Sequence, residues 1–143
     1  MKYQFASTEW VEFAHSYVLE QSSGNSLDGI NIRFSEVFTN APTDLDPDSE
    51  GQIGWYLRIV DNQIEVDRGF LPDPDLRITA DYQTVLPLAR LVFAGDEEAG
   101  AVAQKTVEAA MADGRMSRSG DDAALAQVPW LANLHDDLAR HTL

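Results

Sequence analysis

Apolar residues recur at two different periods along this 143-residue chain, and the change from one to the other divides it. Trp10, Phe13, Ala14, Tyr17 and Val18 share one face at helical spacing. Ser7 or Thr8 supplies a cap, Glu9 sits in the first turn, and Ser22-Ser23-Gly24-Asn25 ends the helix. The period then shortens to two. Ile30, Ile32, Phe34 and Phe38 lie on one side and predict a strand, with Glu36 breaking the pattern at a point where the strand frays or bulges, a buried functional carboxylate being the second reading. Ile53, Trp55, Leu57 and Ile59 predict a second strand and Ile64 with Val66 a third. Asp61-Asn62 between them tolerates the left-handed conformations of a tight hairpin. Leu76, Ile78 and Ala80 predict a fourth strand, running directly into Asp81 as a helix cap.

Beyond Asp81 the helical period returns. Tyr82, Val85, Leu86, Ala89 and Phe93 repeat on one side, and Pro87 starts or kinks the regular helix because it lacks a backbone donor. Ala99, Val102, Ala103, Thr106, Ala110 and Met111 mark an Ala-rich helix that Asp113-Gly114 stops. A short strand is expected over Arg115–Ser119. A last helical stripe follows through Leu125, Val128, Leu131, Leu134 and Leu138, interrupted at Pro129. These elements predict an α+β fold, residues 1–143 forming a single domain whose first three strands suit an antiparallel meander.

Composition narrows the function. Ten Lys and Arg against 24 Asp and Glu give a net charge of −14, which disfavours nucleic acid and anionic bilayers as partners. There is no cysteine, so disulfides, thiolate metal sites and cysteine catalysis are excluded together. The first residues, Met1-Lys2-Tyr3-Gln4-Phe5, lead into an amphipathic segment rather than an apolar signal core, and no apolar run reaches membrane-spanning length. A cytoplasmic protein without stable membrane insertion is the expectation.

Candidate chemistry is sparse. Asp44, Asp46, Asp48 and Glu50 follow the alternation of a calcium loop. However, Ser49 stands where the turn glycine belongs and Trp55 where the bidentate Glu belongs, so a solvated, mobile loop is predicted instead. His135 and His141 are six apart, unsuited to a metal pair on one helix, and His15 has no partner in sequence; all three are expected at the surface. No serine stands in a Gly-x-Ser-x-Gly setting. Asp81 and Tyr82 could serve acid–base work in a pocket, as in a ketosteroid-isomerase-like cone, but that fold ends on long strands whereas this chain ends on helices. Capping and packing account for both residues. No catalytic residue, metal or cofactor is predicted.

Three segments together resemble the sterol carrier protein 2-like lipid-binding domain, over roughly Gly51 to Leu143. Trp55-Tyr56-Leu57-Arg58-Ile59-Val60-Asp61-Asn62-Gln63-Ile64-Glu65-Val66 resembles its paired strands around a tight turn. Asp75-Leu76-Arg77-Ile78-Thr79-Ala80-Asp81-Tyr82 resembles its strand-into-helix segment, and Gly114-Arg115-Met116-Ser117-Arg118-Ser119-Gly120-Asp121 its last strand. The acidic charge and Asn62 in the hairpin turn depart from the family pattern. The resemblance implies a five-stranded, mostly antiparallel sheet covered on one face by about four to five helices, with an apolar tunnel between the layers. The expected function is non-catalytic carriage of an apolar ligand, a fatty acyl chain, a sterol-like molecule or another lipid. Inward-facing positions nominate Trp55, Leu57, Ile78, Leu86, Phe93, Val102, Met111, Leu125, Trp130 and Leu134 as lining, with Trp130 beside Pro129 placed at a lid or portal. The alternative is an interaction module with a filled core, a homodimer that buries its groove against a second copy.

Overall fold

The computed structural model describes all residues, Met1–Leu143. Helix α1 spans Thr8–Ser22, and Ser7 caps it, its side chain accepting from Trp10 N at 3.1 Å. Strands β1 (Ile32–Thr39), β2 (Ile53–Val60) and β3 (Gln63–Arg68) form an antiparallel meander. Asp61 and Asn62 both take positive φ, 53° and 63°, so the hairpin closes in two residues as their tolerance of the left-handed region allows. Strand β4 (Leu76–Asp81) then pairs with β1 in parallel, and β5 (Met116–Gly120) pairs antiparallel with β4. The sheet order is β3-β2-β1-β4-β5, mixed and mostly antiparallel.

Asp75 ties three strands together where β4 begins. Its carboxylate accepts from Arg33 N, its own N–H donates to the Arg33 carbonyl, and its carbonyl accepts from Asp121 N at 2.7 Å. Gly120 is required there: its φ is 108°, and a Cβ would meet the Asp75 carbonyl oxygen at 2.0 Å.

One face of the sheet carries the core. Ile32, Phe34 and Phe38 of β1 stand opposite Ile59, Leu57 and Ile53 of β2, and these side chains are buried under α1 and the C-terminal segments. The outer face is partly covered by the turn after β3. Gly54 has no room for a side chain because Gly69 and Phe70 lie against it, and the Arg77 guanidinium donates to the Leu71 carbonyl.

Helix α2 is Tyr82–Ala89 and starts directly from Asp81, whose carboxylate accepts from Thr84 N, Thr84 Oγ1 and Asn40 Nδ2. Pro87 lies inside this helix rather than at its start, and the helix ends two residues later. Helix α3 is Glu97–Asp113, with Asp96 as N-cap and Gly114 as the left-handed stop. The last apolar stripe is not one helix. It breaks into two 3₁₀ turns, Ala124–Gln127 and Pro129–Leu131, and a six-residue α4, Leu134–Ala139, because Pro129 opens the second turn instead of continuing the first. The acidic loop after β1 is likewise more anchored than its composition suggests. It contains a 3₁₀ turn, Thr43–Leu45, with Leu45 buried and its carbonyl accepting from Arg68 at 2.6 Å. No helix is long and apolar enough to cross a membrane.

Candidate functional site

Between the sheet and the C-terminal segments lies a cavity of about 800 Å³, 18 of whose 22 lining residues are hydrophobic. Its floor follows from strand register. Trp55 of β2 stands opposite Glu36 of β1, Glu36 opposite Ile78 of β4, and Ile78 opposite Arg118 of β5. Cross-strand partners share a face, so this row points four side chains into one space. All four line the cavity. Val85, Leu88 and Ala89 of α2 and Val107 and Met111 of α3 close it from above. Leu125, Val128, Leu131, Leu134 and Leu138 close it from the C-terminal side, and Phe5 and Trp10 form its inner wall. Met111, Arg118, Ala126, Pro129, Ala132 and His135 are the exposed lining residues and mark the mouth.

Three polar side chains reach this space, and two are held by protein partners at the mouth. Arg118 forms an exposed ion pair with Asp122, with Nε 3.4 Å from Oδ1. His135 Nε2 donates to the Leu91 carbonyl at 2.9 Å, and its ring stacks on Phe93 with centroids 4.3 Å apart. Next to it, Asp136 accepts from Phe93 N and Ala94 N, so the linker between α2 and α3 is pinned to α4. The third group is different. Glu36 sits in the central strand, with Oε1 accepting from Trp55 Nε1 at 3.1 Å. The accessible surface it keeps belongs to the cavity wall, and burial among apolar side chains raises its pKa to about 7 although the Trp55 bond works the other way. The strand neither frays nor bulges here: residues on both sides keep regular pairing with β2 and β4. The interruption of the apolar alternation is therefore a carboxyl group placed inside the cavity.

Of the residues nominated from sequence, Trp55, Ile78, Met111, Leu125 and Leu134 line the cavity and the other five do not. Leu57 faces the right side of the sheet but is fully buried opposite Phe34 and Val66, where the layers are packed solid. Leu86 is half-buried one residue from Val85, which carries the lining face of α2. Phe93 lies beyond the end of α2 and stacks on His135. Val102 is 53% exposed, since α3 turns Val107 and Met111 toward the cavity. Trp130 is half-buried between Pro129 and Leu131, which line the cavity while it does not. Of the three histidines only His135 is exposed, where it shapes the mouth, while His15 and His141 are half-buried. Asp81 serves as a cap, and Tyr82 is a buried packing residue whose hydroxyl donates to the Phe5 carbonyl at 2.7 Å. Glu36 is the residue that sequence reasoning ranked wrongly, preferring a frayed or bulged strand to a buried carboxylate. The signal was present: a charge at a core-facing position, opposite a tryptophan able to donate to it.

An open mixed sheet in the order 3-2-1-4-5, with helices on one face, is the architecture of the sterol carrier protein 2-like fold. A crystal structure of sterol carrier protein 2 matches over 98% of this chain and 100% of that chain, with a TM-score of 0.51 and 13% identity. The sterol carrier protein domain 2 of Helicoverpa armigera matches over 97% and 94% at 14% identity, with a TM-score of 0.49. The palmitated SCP2L2 of Aedes aegypti matches over 93% and 97% at 18% identity, with a TM-score of 0.39. No protein-family model matches the sequence, and a search of curated proteins finds no match. The chain thus has a sterol carrier protein 2-like fold.

Proposed function

We propose that this protein, acting as one domain over residues 1–143, binds a lipid or another apolar molecule without transforming it. The cavity supports this directly. Its volume of about 800 Å³ falls within the roughly 300–1,000 Å³ of small-molecule sites, and its lining is overwhelmingly apolar. An engineered apolar cavity of about 150 Å³ already suffices to bind benzene. A guest filling the cavity of this protein gains about 0.8 kcal/mol for each methylene taken out of water. A filled core would instead have favoured the interaction-module reading.

Gentle purification followed by native mass spectrometry tests the proposal. The expected result is an adduct of apolar mass, or uptake from a panel of fatty acids, alcohols and sterols. Val107→Trp, which fills the cavity from α3, should abolish uptake without unfolding the protein. Trp130→Ala, outside the cavity, should leave it unchanged. An unliganded mass with no uptake from any member of the panel would reject carriage.

A further inference from the structure

Resting on the cavity-binding reading above, we propose that Glu36 reads the polar group of the guest, and that this group is a neutral hydrogen-bond donor, a hydroxyl. The cavity offers a guest one internal polar anchor. Trp55 Nε1 occupies Oε1 of Glu36, while the second carboxylate oxygen has no protein donor and is not among the sealed, unpartnered buried atoms. That oxygen is an acceptor open to the cavity, deep in the central strand. An apolar tail end laid against it would leave it unsatisfied in a poorly solvating environment, which is unfavourable. A hydroxyl satisfies it.

Other head groups fit less well. A fatty acid brings a second negative charge toward Glu36 and so must keep its carboxylate at the mouth. The cation there, Arg118, is two strands away, about 10 Å along the same cross-sheet row, and already pairs with Asp122. An ammonium would have to shed its hydration inside an apolar space, a penalty that one counter-charge does not reliably offset. A hydroxyl is cheap to desolvate. It can also accept a bond from the protonated carboxyl whenever Glu36 is neutral, a state the raised pKa of about 7 makes accessible.

Displacement of Nile red by decane, decanol and decanoate separates these cases, because the three share a chain length. Decanol is expected to bind at least tenfold more tightly than decane, the affinity expected of a bond to a charged acceptor, and more tightly than decanoate. In Glu36→Leu the decanol-to-decane ratio should fall to about two or less while decane binding persists. Glu36→Gln, which keeps size and an acceptor, should retain an intermediate preference and serves if the leucine variant does not fold. Equal binding of decanol and decane to the wild-type protein, or an alcohol preference that survives Glu36→Leu, would overturn the head-group assignment and leave the cavity reading intact. Failure of all three to displace the probe would remove both.

Discussion

The two halves of one sheet face have been covered in different ways. Over β1, β2 and β3 the cover is α1 and the segment before it. There Phe5 packs on Trp10, Phe38 and Tyr82 with ring centroids 4.9–5.5 Å apart, and Trp10 meets Trp55 edge-on at 5.4 Å. Ala14 and Val18 are fully buried beneath that helix. Over β4 and β5 the cover is the short α2 and α3, the latter burying only Ala99, Ala103 and Ala110, while the 3₁₀ turn Ala124–Gln127 lies against β1. Small side chains and short elements cannot fill the space that aromatic rings fill on the other side. The cavity is the remainder. Glu36 lies at the seam, bonded to the tryptophan of the packed half and facing the open one.

If that contrast is correct, mutations on the two sides should differ in kind. The largest effect is expected in the packed half, where Phe38→Ala should cost about 3–5 kcal/mol, measured by urea denaturation, since Phe38 is fully buried. At the seam, Glu36→Gln probes a carboxyl group whose folded pKa lies above its unfolded value. The folded state therefore holds this proton more tightly, and the wild-type protein loses stability as pH rises from about 4.5 to about 7. Above pH 7 the loss amounts to about 3 kcal/mol. Denaturation midpoints of Glu36→Gln should lack this component between pH 4 and 8; a parallel pH profile in both proteins would place the group in solvent.

Asp81→Ala should cost about 0.5–2 kcal/mol at neutral pH by removing the cap of α2 and its Asn40 partner. Hydrogen bonds, first from Asn40 and then from Thr84, hold this carboxylate below its usual pKa. Its contribution is therefore present above the unfolded carboxylate pKa and disappears as pH falls through the lowered folded value. Thermal melts of wild type and variant should converge in acid. The smallest effect belongs to the open half. Val102→Ala on the exposed side of α3 should change stability by about 0.5 kcal/mol or less and leave Nile red binding unaltered.

Local chemistry made much of the fold legible in advance. The Asp61-Asn62 turn, the run from β4 through the Asp81 cap into α2, and the Gly114 stop each depend on a few adjacent residues, and each forms where the pattern places it. On strands alternation fixed the inward face of Trp55, Leu57 and Ile78, but not which of them borders the cavity. On helices the outcome was mixed, with Met111 and Leu134 lining the cavity and Leu86 and Val102 not. Val102 and Val107 lie roughly 140° apart around α3, and only packing against the rest of the molecule sets which of them faces inward.

The sequence by itself determined the element order, the hairpin, the caps and the side of each strand that faces inward, because these follow from backbone preference and residue period. Tertiary structure decided that β4 would lie parallel to β1, that the terminal stripe would break at Pro129, and that Leu57 would be packed solid while Ile78 borders open space. It also turned Glu36 from an irregularity in a strand into a carboxyl group inside a cavity. Distant segments had to meet before the volume they share, and the charge within it, could exist.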